Sequence, residues 1–271
     1  MRHTNSPAIS WQPVFVVGAP RSGTTVLHAT ICSAPEVNDY VAECAYFSHF
    51  LRPLAYLWKQ FDVHGRSYFR DREELLQYHS AIITTVLHDT WEHLGRPQVL
   101  ALKDPLLTPQ LPLLSLLVPQ ARFVTSVRDP RAVVASRMAV LKRQGGDATS
   151  TSAARGVCAE YNRDYRTVLE LRKQAPARHL LVSYRQLVQG HSFDMLTRFL
   201  AIRPNTARMW EGWSANDASR RDPTFSERYG RPLSEQSMNR WQGQLTDAQV
   251  QVVTELCGPL AAAMGIPLAA T

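Results

Sequence analysis

Four short, mostly apolar runs, at residues 14–17, 99–102, 123–127 and 180–182, punctuate the chain, with long stretches of helical character between them. Such runs, rich in Val and Leu and without polar alternation, suit central strands of a parallel sheet covered by helices on both faces. The intervening stretches read as helices over 24–33, 46–61, 72–94, 131–143 and 152–174. Parallel neighbours cannot be joined by a tight turn, so alternating strand and helix calls for βαβ units. A last helix is expected from the N-cap Thr246 to about Met264, ahead of Gly265 and Pro267. A length of 271 residues, 45% of them hydrophobic, is enough for one sizeable core. The expectation is one α/β domain over 1–271 with a central parallel sheet flanked by helices. Residues 145–152 and the polar stretch 214–235 read as loops, and a long loop in a compact domain is often functional.

The first run leads into PVFVVGAPRSGTT, residues 13–25: an apolar strand, a glycine, a turn around Arg21, Ser22 and Gly23, then a helix opened by Thr24 and Thr25. Backbone N–H groups at such a turn converge on one concavity, and the helix dipole adds partial positive charge, so the segment is a ready anion site. Gly18, Gly23 and Thr25 occupy the glycine and hydroxyl positions of the G-x-x-x-x-G-K-[ST] phosphate loop. Thr24 stands where the lysine that reaches a triphosphate's far phosphates should be, and the positive charge lies inside the loop at Arg21. The residues therefore suit a shorter anion than a nucleoside triphosphate. A second strand-to-helix segment, RFVTSVRDPRAVVASRM, places Arg128 at a strand end and Ser136 two helical turns on. Open α/β sheets bind ligands at strand C-termini, and a guanidinium is a bidentate phosphate grip. Arg131 and Arg137 are either part of that grip or surface charges.

These two motifs resemble those of sulfotransferases. Gly18 to Thr25 is similar to the 5′-phosphosulfate loop of that family and Arg128 to Ser136 to its 3′-phosphate motif. The resemblance implies a P-loop-like fold and a donor, 3′-phosphoadenosine 5′-phosphosulfate (PAPS), with release of 3′-phosphoadenosine 5′-phosphate (PAP) and no metal. It covers most of the chain and is nearest to the tyrosylprotein type. In that type a Pro-Asp-Val-like step precedes a catalytic glutamate; here Pro35-Glu36-Val37 is followed by Glu43, two residues later than in the pattern. The resemblance further implies a catalytic role for Lys103 in Lys103-Asp104-Pro105, a place beside the adenine for Tyr184, and a segment at Arg231-Pro232 that closes over the donor. Ser226, offset by one residue, corresponds to a catalytic serine, with Thr224 as its competitor.

Sulfuryl transfer to an alcohol needs a base for the acceptor and positive charge where the leaving phosphate forms. Pro105 stands where the histidine of phenol- and steroid-type enzymes would lie, which makes Glu43 the candidate base, with Asp39 and Asp62 as substitutes. His28, His49 and His64 read as structural or surface residues. The implied set is thus Glu43, Arg21, Lys103 and Ser226 for catalysis, and Arg21, Ser22, Gly23, Thr24, Thr25, Arg128, Ser136, Tyr184 and Arg231 for the donor. Helical residues 45–95, with Tyr46, Phe47, Phe50, Tyr56, Trp58 and Phe61, are expected over the acceptor.

The net charge of +7 and pI near 9.5 suit an anionic partner. The basic residues are scattered, so a phosphorylated small ligand is expected and nucleic acid is not. No apolar run reaches the ~20 residues of a membrane span. The N-terminal residues lack the apolar core of a secretory signal, and the four cysteines show no C-x-x-C spacing, so a cytoplasmic enzyme with reduced thiols is expected. The expected acceptor is a hydroxyl of a small metabolite or natural product, and a homodimer stays open. The rivals are a P-loop small-molecule kinase and a non-catalytic nucleotide-binding protein.

Overall fold

The computed structural model describes residues 10–205, 207–209, 236–266 and 268. Four parallel strands form one sheet: β1 (Gln12–Val17), β2 (Val99–Lys103), β3 (Arg122–Val127) and β4 (His179–Ser183), in the order β2-β1-β3-β4. Val16 sits opposite Lys103 on one side and Val124 on the other, and Val127 opposite Ser183, so all four C-terminal ends lie along one edge. Strand order reverses between β1 and β3, where open α/β sheets place their ligands.

Helices fill the intervals: α1 (Thr24–Cys32), α2 (Ala45–Lys59) and α3 (Arg72–His93) before β2, then α4 (Leu111–Leu117), α5 (Pro130–Arg143) and α6 (Thr151–Gln174). After β4 come α7 (Tyr184–Val188), α8 (Phe193–Leu200), α9 (Gln236–Asn239) and α10 (Asp247–Ala263). Every strand and helix expected from the sequence is present with ends within about two residues, the usual uncertainty of helix ends.

Period-two alternation sorts the core into two layers. Val14, Val16, Val99, Ala101, Val124 and Val182 face α1, α7 and α8. Phe15, Val17, Leu100, Leu102, Phe123 and Val127 face the larger layer of α2 to α6 and α10. Both faces are buried, which is why the strands read as continuous apolar runs. The outer edge of β2 is not bare: Val99 donates to Glu36 O at 3.0 Å and Cys44 to Lys103 O at 2.9 Å, so residues 36–44 run along it. Among the described residues no helix is long and apolar enough to cross a membrane.

Candidate active site at the C-terminal edge of the sheet

The sheet edge gathers the candidate residues of all four strands. β1 runs into the turn 18–23, whose path needs left-handed backbone at Gly18 (φ 140°), Arg21 (φ 74°) and Gly23 (φ 104°). A Cβ at Gly18 would lie 2.5 Å from Ser126 O, and one at Gly23 would lie 2.4 Å from the Tyr184 ring. Both glycines are thus fixed by space as well as by backbone conformation. Thr108 clasps the start of the turn, receiving Gly18 N–H and donating to Gly18 O, both at 2.9 Å. Ser126 Oγ donates to Ser22 O at 2.9 Å, and Tyr165 OH to Ser126 O at 2.7 Å. Sequence reasoning missed Thr108, Ser126 and Tyr165; their long-range contacts leave no local pattern.

The turn delivers α1 with Gly23 as N-cap, no capping side chain and no acidic residue in the first turn. Its first N–H groups have no carboxylate neighbour there to satisfy them, as an anion-binding helix start requires. Arg21 Nε donates to Ser136 Oγ at 3.0 Å, and Arg128 Nη1 to Arg21 O at 3.1 Å. The loop grip and the Arg128–Ser136 grip therefore meet at Arg21. Burial first, then the fields of Arg128 and Arg143, lower the Arg21 pKa to about 10. Clustered cations of this kind call for an anion.

Arg128 lies with its Cζ 4.3 Å from the centroid of the Tyr184 ring, a cation–π contact. Its Nη2 donates to Ser237 O, and Tyr184 OH shares a 3.0 Å hydrogen bond with Ser237 Oγ. Its Nε is buried without a partner among the described residues. A buried guanidinium N–H left over, beside a helix whose own first turn carries no acidic residue, fits a phosphorylated ligand with two anionic ends. Tyr184 opens α7 immediately after β4 ends. Of the two arginines left undecided, Arg131 is buried, paired with Asp129 at 2.9 Å and stacked 4.2 Å from Trp241, while Arg137 pairs with Glu160 at 2.9 Å. Both are committed to structural partners.

At the end of β2, Lys103 has 1% of its side chain exposed, yet its Nζ reaches Glu43 Oε1 at 2.7 Å and Thr25 Oγ1 at 3.4 Å. Lys103 bridges the start of α1 and the candidate base, which keeps about a third of its side chain (35%) in solvent. The substitutes lie elsewhere: Asp62 is held by Arg66 and Arg72, and Asp39 is 93% exposed and 3.8 Å from Arg208. His28 is buried in α1 with Nε2 3.0 Å from Ala101 O, and burial pushes its pKa down to about 3. Ser226, Thr224, Arg231 and the loop 214–235 lie outside the described residues.

Comparison with known proteins identifies the family. The sulfotransferase family model matches residues 13–202, which include the turn, Glu43, Lys103, Arg128, Ser136 and Tyr184. A candidate protein-tyrosine sulfotransferase of Caenorhabditis briggsae is 29% identical over 194 residues, covering 71% of this chain and 66% of that protein, just under two thirds of its length. Protein-tyrosine sulfotransferase 1 of Danio rerio is 26% identical over 263 residues, 93% of this chain and 71% of that protein. Among solved structures, the sulfotransferase domain of the Synechococcus PCC 7002 olefin synthase aligns with a TM-score of 0.56 at 16% identity, over 93% of this chain and 97% of that one. The sulfotransferase domain of the curacin biosynthetic pathway aligns with a TM-score of 0.58 at 15% identity, over 91% and 97%. At that identity the two structures speak for the fold alone. With the family model spanning well over half of its length, the chain belongs to the sulfotransferase family, with relatives of the tyrosylprotein type.

Proposed function

We propose that the protein transfers a sulfuryl group from PAPS to a hydroxyl acceptor, with Glu43 as base. The observation that carries this reading is the Lys103 bridge, 2.7 Å to Glu43 and 3.4 Å to Thr25, at the mouth of the glycine turn. When bound, the donor supplies the sulfuryl group and a phosphate as its leaving group. The turn closed by Ser22 N–H on Ala19 O at 3.0 Å, the backbone N–H groups of Gly23 to Thr25 and the hydroxyls of Thr24 and Thr25 would hold its 5′ end; Arg128 and Ser136 would hold its 3′-phosphate, and Tyr184 would lie against its base. Arg21 joins the two grips.

The pairing of Glu43 with Lys103 suits its role. It places a carboxylate that can accept the acceptor's proton next to the ammonium that faces Thr25. Once neutral, Glu43 holds Lys103 Nζ less strongly, and the ammonium can face the leaving phosphate next to Thr25. Proton uptake and charge stabilisation are thereby coupled through one lysine.

The rival kinase reading needs a carboxylate at a strand end for magnesium. Asp104 Oδ1 instead caps Leu106 N–H at 2.8 Å, and Asp129 holds Arg131 at 2.9 Å, which favours sulfuryl transfer. Four cysteines present as free thiols suit a reducing compartment and support a cytoplasmic enzyme. The acceptor we favour is a small hydroxyl compound. A tyrosine side chain is the second reading, supported by relatives named protein-tyrosine sulfotransferases. The test is PAP release from PAPS, measured with a panel of small phenols and alcohols and with tyrosine peptides, with and without EDTA. Acceptor-dependent release that survives EDTA is expected. Release that needs magnesium, or ATP turnover in place of PAPS turnover, overturns the reading, and turnover confined to the peptides assigns the acceptor to the second reading.

A further inference from the structure

Glu43 sits at the end of a segment with no regular structure, and something must hold it on Lys103. Asn38 pins the start of that segment to the edge of the sheet. It is 2% exposed. Its Oδ1 accepts Ala101 N–H at 2.7 Å and its Nδ2 donates to Ala101 O at 3.2 Å. A side-chain amide here takes the place of a strand neighbour's peptide group, using both hydrogen-bonding groups of one β2 residue. Backbone pairing precedes it, with Asn38 N–H to Val99 O at 3.4 Å, and resumes after it, with Cys44 N–H to Lys103 O at 2.9 Å. Residues 39–43 therefore leave the sheet edge at Ala101 and return at Lys103, two β2 residues on, roughly 7 Å away. Nδ2 also donates to Asp39 O at 2.8 Å, which fixes the direction in which the chain leaves. Glu43 is the last residue of this closed excursion, directly before the anchored Cys44. The anchors also account for a base that comes two residues late: extra length is taken up in the excursion while its two ends stay pinned to β2.

We infer that Asn38 is a positioning residue for the transfer reaction, setting Glu43 in reach of Lys103. The inference rests on the proposed role of Glu43 and is tested so that the two can fail separately. Turnover is measured by PAP release with the best acceptor of the panel for wild type, Asn38→Ala, Glu43→Gln and the double variant, alongside PAP affinity by calorimetry. Asn38→Ala is expected to lower kcat by about 10- to 100-fold, the cost of a misplaced catalytic group, with PAP affinity within about twofold. In the Glu43→Gln background it should cost less than about threefold, because groups that act as a unit are not additive. Near-normal turnover in Glu43→Gln removes the base and this inference with it. A Glu43→Gln loss with a normal Asn38→Ala enzyme, or equal Asn38→Ala losses in both backgrounds, overturns the positioning role alone. Because Asn38→Ala leaves a buried N–H unpaired and can fail to fold, Asn38→Asp is read beside it, with hydrogen exchange of the Cys44 amide. Exchange at Cys44 should rise about tenfold while β1 and β3 amides stay protected; unchanged exchange at Cys44 rules Asn38 out as the anchor.

Discussion

Arg128 shows how much one side chain can be asked to do. Two of its five N–H bonds go to the carbonyls of Arg21 and Ser237, its face lies on Tyr184, and Nε is buried without a partner among the described residues. Burial lowers its pKa, so the site holds this cation at a cost that a phosphate would offset. Arg128→Ala is expected to weaken PAP binding by about 1.5–3 kcal/mol, the worth of a hydrogen bond to a charged group, and to leave AMP binding nearly unchanged. Calorimetry with both nucleotides decides it: an equal loss for AMP and PAP would place Arg128 away from the 3′-phosphate. Glu43 sits on the same edge beside β2, two strands from β3. Glu43→Gln keeps the shape and a hydrogen-bonding carbonyl but cannot take a proton. Turnover should fall by about 10²–10⁴, the range of a positioned general base, with PAP affinity little changed. A variant that also lost PAP would instead make Glu43 an organiser of the turn.

Elements were legible where their pattern is long and local. The four strands and the six long helices all carry their period in their own sequence. Short α4, α7 and α8 were missed, because five to eight residues give too few turns for a period to be seen. Pro53 did not break α2, which runs through it from Ala45 to Lys59. The site divides in the same way. Gly18, Arg21, Gly23 and Arg128 are written in motifs, whereas the clasp at Thr108, the support from Tyr165 and the anchor at Asn38 depend on strand neighbours far away in the chain. The last helix, α10, shows a local signal joined to a distant one. Thr246 and Gln249 form a reciprocal capping box, with Thr246 N–H to Gln249 Oε1 at 3.0 Å and Gln249 N–H to Thr246 Oγ1 at 3.2 Å. Gln249 Nε2 also reaches Ala148 O at 3.1 Å and Ser150 O at 3.3 Å, tying α10 to the entrance of α6. Thr246→Ala should therefore cost about 1 kcal/mol, an ordinary cap. Gln249→Ala should cost about 2–3 kcal/mol, since two partly buried carbonyls lose a donor as well. Urea unfolding of both variants checks the order; equal losses would mean the tie to residues 148 and 150 contributes nothing.

For the molecule as a whole, two buried histidines on opposite faces of the sheet each make stability fall as the pH drops below neutral. His28 lies in the α1 layer with its pKa pushed down to about 3 by burial, then by Lys103. His179 opens β4, 3% exposed, its ring stacked 4.8 Å from Phe123 with both nitrogens unpartnered among the described residues, and burial, then Arg178, pushes its pKa down to about 4. In both, the folded pKa lies below the ordinary value near 6.5. Above pH 6.5 neither state binds the proton and stability is full. As pH falls below 6.5 the unfolded chain takes up protons that the native state refuses, and stability is lost until the folded pKa values are reached. Between pH 7 and pH 5 each histidine should withdraw about 2 kcal/mol. His179→Phe keeps the stacking and removes two unsatisfied nitrogens. It should stabilise the protein by about 1 kcal/mol at pH 7 and cut the loss on going to pH 5 by about half. Urea midpoints at pH 7, 6 and 5 measure both effects. A wild-type midpoint that stays level from pH 7 to 5 would show that neither ring is held neutral, and an unchanged slope in His179→Phe would leave His28 as the source.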